Sequence, residues 1–262
     1  MRYWIFFLFI LPFVLFNLQQ ALATDQILIT KSFTMDEIIF DGKWSYYTEW
    51  KKSSLDTINN GDGTVIQLRT AHQGNFLYVF VDDIHTTQWN KISDKATVCV
   101  DGNNDKNLTA DGNDYCFVST LGSNQSFTLQ GGSPLGFTNN FKKIPNPQGF
   151  IGIGSISDKN DRYTIDPHPS YEFKIPIELF GRSNIYGFYV DVYHSQQNKA
   201  YSWPQLDLNN SLQIPSPSKW GELISPDKSL PEFQIPFIPL VIAVIFSIYL
   251  VRRKMNLVYS PS

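Results

Sequence analysis

Between Asp25 and Ile224 the apolar residues recur at every second position, and clusters of Asn, Gly, Asp and Pro interrupt them at short intervals. A period of two sends alternate side chains to opposite faces of a pleated strand, so the pattern commits this stretch to β-structure. Residues 64–70 read as a strand with Ile66 and Leu68 on one face and Gln67 and Arg69 on the other. Residues 76–81, Phe-Leu-Tyr-Val-Phe-Val, are apolar on both faces, which predicts a central strand covered from both sides. Residues 96–100 and 115–119 flank a polar segment and predict a long-looped hairpin. Residues 150–154 alternate Ile with Gly, leaving one face open to close approach. Residues 171–175 alternate apolar with charged side chains and read as a half-exposed strand, and residues 185–193 are apolar except for Asp191 and polar-tipped tyrosines. A helical turn is expected at Ile177-Glu178-Leu179-Phe180, between Pro176 and Gly181. The fold class expected is all-β: a single jelly-roll-like antiparallel β-sandwich.

Both ends of the chain break this pattern. Met1-Arg2, an apolar run from Tyr3 to Leu18, and Gln19-Gln20-Ala21-Leu22-Ala23 have the order of a secretory signal over residues 1–23, cleaved after Ala23 or else retained as an anchor. A second run, from Phe233 to Val251, carries no charge and is followed at once by Arg252, Arg253 and Lys254. Such a run reads as one membrane-spanning helix over 235–251, and its basic flank places the tail, 252–262, in the cytoplasm. The expected product is a single-pass protein of the cell membrane. Its domain, residues 24–225, is extracellular, with a short linker at 226–234. Pro and Ser are frequent from Pro215 to Pro231, which reads as a stalk.

That topology exposes the two cysteines, Cys99 and Cys116, to an oxidising compartment, so a disulfide at the base of the hairpin loop is expected. Asn107, Asn124 and Asn209 each open an N-x-S/T triplet and are the candidate glycosylation positions. The formal net charge is −3 and no basic stripe occurs, which argues against nucleic acid as a partner.

Oxygen-bearing side chains crowd the hairpin loop. Asp101, Asn103 and Asp105 alternate, and Asp111 and Asp114 follow in the same loop. Calcium takes six to eight oxygens, so these five are the candidate ligands of a structural ion. The arrangement is not a helix-loop-helix calcium loop, because Lys106 stands where the turn glycine belongs and Gly112 where the bidentate glutamate belongs. Three aromatics in polar, loop-like surroundings, Trp89, Tyr201 and Trp203, are the candidates for stacking on the apolar face of a sugar ring. Trp44, Trp50, Trp203 and Trp220 coincide with fold landmarks, where a tryptophan is more often core than cleft, so Trp203 carries both readings. No G-x-S-x-G, H-E-x-x-H or phosphate-cradling loop occurs. Asp82-Asp83 and Asp166-Pro167-His168 read as strand-end surface groups, and no catalytic set is expected.

Phe40-Asp41-Gly42-Lys43-Trp44 with Glu49-Trp50 opens the domain, and 75–83, Asn-Phe-Leu-Tyr-Val-Phe-Val-Asp-Asp, follows. Then come 96–105, Tyr171-Glu172-Phe173-Lys174-Ile175-Pro176, Tyr201-Ser202-Trp203-Pro204 and Trp220-Gly221. In this order the landmarks resemble family 9 carbohydrate-binding modules and the related DOMON-like sandwiches, across most of the domain. The resemblance implies non-catalytic binding of a glycan or cell-surface polymer, with structural calcium. It also admits a haem b electron-transfer module, for which Met35 and the scattered His72, His85, His168 and His194 are poor axial ligands, and a structural protein of the cell envelope is a third reading. Pro231-Glu232-Phe233, the apolar run and the basic cluster resemble the PEF-CTERM sorting tail. That implies removal by a sortase-like enzyme, although residues 255–262 continue past its usual end and favour permanent anchoring.

Overall fold

A computed structural model describes residues 25–225, apart from 32–34, 36, 46, 85, 123–124, 136–139 and 207–212. The expected signal (1–23), linker (226–234), membrane helix (235–251) and tail (252–262) lie outside the described residues, as do His85, Asn124 and Asn209.

The strands are β1 (Gln26–Leu28), β2 (Thr30–Lys31), β3 (Ser54–Asn59), β4 (Val65–Gln73), β5 (Phe76–Asp82), β6 (Lys95–Asp101), β7 (Asp114–Thr120), β8 (Ser126–Gln130), β9 (Lys142–Ile144), β10 (Ile151–Ile156), β11 (Pro169–Pro176), β12 (Ile185–His194), β13 (Lys199–Trp203) and β14 (Gly221–Ile224). They form two sheets, one ordered β1-β14-β12-β6-β7-β8-β9 and the other β10-β11-β5-β4-β2. Pairing is antiparallel except for β1 with β14 and β2 with β4.

Both sheets use a long strand to hold two short ones end to end. Along one edge of β12, residues 190–194 pair with β13 and residues 185–188 with β14, while β6 takes the other edge. Strand β4 does the same with β3 and β2. Residues 76–82 lie between β4 and β11, mid-sheet as their sequence predicts.

The main core lies between the sheets and takes alternate residues of each, among them Leu68, Val79, Val81, Val98, Phe117, Tyr171, Phe173, Phe188 and Val190. Two further clusters cover the outer faces. On the β4-β5 sheet, Met35, Trp44 and Trp50 pack on Ala71 and Phe80. On the β6-β7-β12 sheet, Ala110, Phe141, Ile214 and Trp220 pack on Cys99, Cys116 and Tyr189. Loops thus roof both sheets, which explains why several strands are apolar on both faces. Trp44, Trp50 and Trp220 are core residues, as expected.

The roof corrects three expectations. Strand β11 is not half-exposed, because Glu172 is fully buried beneath the Asp41–Trp50 segment. Its Oε2 accepts the backbone N–H of Asp41 (2.9 Å) and Gly42 (2.8 Å), and its Oε1 accepts Trp50 Nε1–H (2.8 Å). The supposed stalk begins too early, since Pro217–Lys219 is a 3-10 turn and residues 221–224 are strand β14 inside the sheet. Asp82 and Asp83 are fully buried rather than on the surface, each meeting a histidine: Asp82 with His168 (2.7 Å) and Asp83 with His194 (2.5 Å).

What approaches the glycines of β10 is the protein itself. A Cβ on Gly154 would lie 2.6 Å from the Tyr171 ring and 2.8 Å from the Thr120 carbonyl. The expected turn at Ile177–Leu179 is present as 3-10, stopped by Gly181 at φ +78°.

Candidate ligand groove and acidic loop

Strand β13 follows a tight turn from β12, because Asn198 accepts the left-handed conformation (φ 49°) that lets the chain reverse there. This turn, the β3–β4 turn and residues 205–206 meet around an open groove of about 590 Å³. Its walls include Asn60, Gln197, Asn198, Lys199, Tyr201 and Gln205. Gln205 Nε2–H donates to the Asn59 carbonyl (2.6 Å), tying the 205 loop to the end of β3. Asp62 Oδ2 accepts from Lys199 Nζ (2.5 Å) and Tyr201 Oη (2.7 Å), which closes the β3–β4 turn onto β13. The hydrogen bonds from Lys199 and Tyr201 hold the Asp62 carboxyl well below its ordinary range, and the bond to Asp62 raises Lys199. Both side chains are therefore charged and occupied with each other. Each of the four amides has one polar atom bonded within the protein: Asn60 Nδ2 to the Thr64 carbonyl, Gln197 Oε1 from Tyr201, Asn198 Oδ1 from Tyr193 and Gln205 Nε2 to the Asn59 carbonyl. That leaves the opposite atoms, two donors and two acceptors, for hydroxyls.

Of the three aromatic candidates, Tyr201 alone lines the groove, and its ring is buried against the main core with only 4% exposed. Trp203, two residues along the same strand, is half-buried, tilts against Phe188 at 6.0 Å, and lies over Gly221, where a Cβ would strike its ring. Trp89 packs half-buried on the core and receives Gln196 Nε2–H at its carbonyl (3.3 Å), so it backs the turn whose next residue lines the groove. Trp89 and Tyr201 flank the β12–β13 turn, whereas Trp203 lies at the other end of β13, so the three do not form one platform. The amide side chains carry no periodic or motif signal, which is why sequence reasoning passed over them.

The hairpin loop also forms. Cys99 and Cys116 are register partners on β6 and β7 and are disulfide-bonded, with Cα atoms 4.0 Å apart. Asp101 and Asp114 face each other two residues further on, at the base of the loop. Asp101 Oδ1 accepts from Asn103 N (3.2 Å) and Asn104 N (2.7 Å), and Asp114 Oδ2 accepts from Asp111 N (2.7 Å). Asn103 Nδ2 and Asn107 Nδ2 both donate to Asp105 Oδ2. Lys106, at φ 56°, leaves the loop and donates to the carbonyls of Trp220 and Gly221. Two buried oxygens aimed at this loop, Asp114 Oδ1 and Asn104 Oδ1, have no hydrogen-bond partner among the described residues. Burial, then the charges of Asp101, Asp111 and Asp105, push the Asp114 carboxyl up to about 7, and burial raises Asp101 as well. Asn104 is the member that sequence spacing missed. Asn107, the described glycosylation candidate, is exposed.

Among the described residues, the histidines and Met35 do not converge. Met35 lies in the roof over β4 and β5, His72 Nε2 meets the Gly74 carbonyl (3.0 Å), and His168 and His194 meet Asp82 and Asp83.

No family model and no curated protein matches the chain. Among solved structures, a carbohydrate binding module family 9 (CBM9) from Caldicellulosiruptor kristjanssonii in complex with glucose is similar, with a TM-score of 0.50 and 14% identity over 77% of this chain and 95% of that one. The same organism's module in complex with cellotriose gives a TM-score of 0.49 and 14% identity over 77% of this chain and 93% of that one. The glucose-bound likeness fixes the fold as a sandwich of this kind.

Proposed function

We propose that this protein is a non-catalytic carbohydrate-binding module displayed on the outer face of the cell membrane, with its ligand in the groove at the β12–β13 turn. The observation that carries the reading is the amide-lined groove itself, set beside Tyr201 on a fold shared with a module solved with glucose. Sugar hydroxyls exchange hydrogen bonds with amides readily, because each amide supplies a donor and an acceptor. Anchoring rests on the uncharged run 235–251 and the Arg252-Arg253-Lys254 cluster.

Calorimetric titration of the purified protein with glucose and cellotriose tests the binding. We expect saturable binding that weakens at least tenfold in Gln197→Ala/Gln205→Ala, since two lost hydrogen bonds at about 1 kcal/mol each exceed the 1.4 kcal/mol of a tenfold change. Unchanged affinity in that variant would place the sugar elsewhere.

Calcium belongs in the same reading, held at the acidic loop by Asp101, Asn103, Asp105, Asp111 and Asp114, with Asn104 added. Support comes from the two unpartnered buried oxygens and from the Asp114 carboxyl, raised first by burial and then by the charges of Asp101, Asp111 and Asp105, all of which a bound cation would offset. Calcium at a hundredfold above its dissociation constant stabilises by about 2.7 kcal/mol, or roughly 5–10 °C for a domain of this size. Chelation should lower the thermal midpoint by that amount, and Asp105→Asn/Asp111→Asn should abolish the calcium-dependent part. A midpoint indifferent to both calcium and chelator would remove the ion from the account.

A further inference from the structure

We infer that Asp82, Asp161 and His168 form a buried site for a divalent first-row transition cation, zinc or manganese, beneath the roof of the β4-β5 sheet and apart from both the groove and the acidic loop. Asp82 ends β5, and Asp161 and His168 lie in the segment joining β10 to β11. One ligand atom from each lies within 4.8 Å of the others. His168 Nε2 is 2.7 Å from Asp82 Oδ1 and 3.9 Å from Asp161 Oδ1, and the three side chains are at most 1% exposed.

The tautomer of His168 carries the argument. Its Nδ1 lies 2.7 Å from the Asp166 carbonyl, which can only accept, so Nδ1 bears a hydrogen. Ser157 Oγ accepts the His168 backbone N–H (3.0 Å) and also lies 2.8 Å from Nδ1, whose hydrogen it shares with the Asp166 carbonyl. In a neutral imidazole Nε2 then turns a lone pair toward two carboxylates, an arrangement that either a proton on Nε2 or a cation between the three groups relieves. Metal-bound histidines are commonly fixed this way, by an N–H given to a backbone carbonyl.

A proton on Nε2 relieves only part of the problem. It would satisfy Asp82 Oδ1, yet Asp82 Oδ2 and Asp161 Oδ2 are both buried without a partner among the described residues. An imidazolium with two carboxylates also leaves one negative charge buried, which is costly. A dication with a neutral imidazole and two carboxylates sums to zero. One imidazole and two carboxylates suit zinc or manganese better than calcium, which takes oxygen ligands. Zinc at about 2.0–2.2 Å from each donor in tetrahedral geometry needs donor separations of about 3.3–3.6 Å, so the Asp82–His168 pair would open and the Asp161–His168 pair close, each by roughly half an ångström. Asp161 also forms part of the wall of a cleft of about 370 Å³ lined by Trp44, Ser45, Tyr47, Asn160 and Arg162.

The test is titration of chelator-stripped full-length protein with zinc chloride and, separately, manganese chloride, followed by native mass spectrometry and by histidine side-chain ¹⁵N NMR. One equivalent of zinc or manganese should bind and raise the thermal midpoint. That equivalent should weaken at least tenfold in Asp161→Asn, and should persist in Asp105→Asn/Asp111→Asn. The His168 Nε2 resonance should move to the metal-bound range while Nδ1 keeps its hydrogen. If Asp161→Asn fails to fold, the NMR signature of the unmutated protein decides alone. An imidazole that stays doubly protonated with metal present, or a metal equivalent unaffected by Asp161→Asn, would overturn the site and leave a His168–Asp82 ion pair.

Discussion

Glu172→Ala is expected to cost about 3–5 kcal/mol and to leave the chain partly unfolded at ambient temperature. The carboxylate is fully buried and accepts three N–H donors, from Asp41, Gly42 and the Trp50 indole, at 2.8–2.9 Å. Alanine strands all three, and a buried donor without a partner costs roughly 1–3 kcal/mol. With its acceptor gone, the Asp41–Gly42 turn should lift from β11 and take Trp44 and Trp50 with it. Gly42 cannot adjust cheaply, since it sits at φ +85° with the Ser155 backbone 2.7 Å from where a Cβ would be. The loss is comparable with the lower end of the 5–15 kcal/mol that holds a typical domain. Urea unfolding followed by tryptophan fluorescence reads it directly. Glu172→Gln, which keeps one acceptor oxygen, should fall between, and a change below 1 kcal/mol in Glu172→Ala would show that the roof is held by its apolar contacts alone.

Removing the disulfide should have the next largest effect. Cys99 and Cys116 are 17 residues apart, and opening a loop of about that size releases roughly 3 kcal/mol of chain entropy in the unfolded state. Both sulfurs are fully buried in the outer cluster with Phe141, Tyr189 and Trp220, so Cys99→Ala/Cys116→Ala also leaves a small void, and the expected total is about 3–5 kcal/mol. The same bridge closes the strands two residues before Asp101 and Asp114, so the variant should also bind calcium more weakly at the acidic loop. Denaturant midpoints of the oxidised, reduced and double-alanine proteins make the comparison. Equal midpoints in all three would mean that the β6–β7 pairing needs no staple.

The sequence was readable where one residue type has one physical job. Period two exposed the strands, the Pro176–Gly181 frame exposed the 3-10 turn, and the polar gap between two apolar runs exposed the β6–β7 hairpin with its cysteines in register. It misled where covering came from far along the chain. Glu172 and Lys174 looked solvent-facing because alternation reports only that two faces differ, not that a loop about 130 residues away roofs one of them. Asp82 and Asp83 looked like surface groups for the same reason, since their histidine partners are 86 and 111 positions distant. Strand β14 hid in a Pro- and Ser-rich stretch because four residues carry little periodicity. The groove was half legible: Tyr201 was found by residue type, whereas Asn60, Gln197, Asn198 and Gln205 acquire meaning only when three turns meet.

The central claim is that this groove binds a glycan, and the most direct measurement is the ¹⁵N NMR spectrum of the purified protein titrated with cellotriose. The side-chain amides of Asn60, Gln197, Asn198 and Gln205 should shift first and saturate together, with Trp89 following through its contact with Gln196. Shifts centred instead on Tyr47, Asn160 and Arg162, or no shift at millimolar sugar, would contradict it.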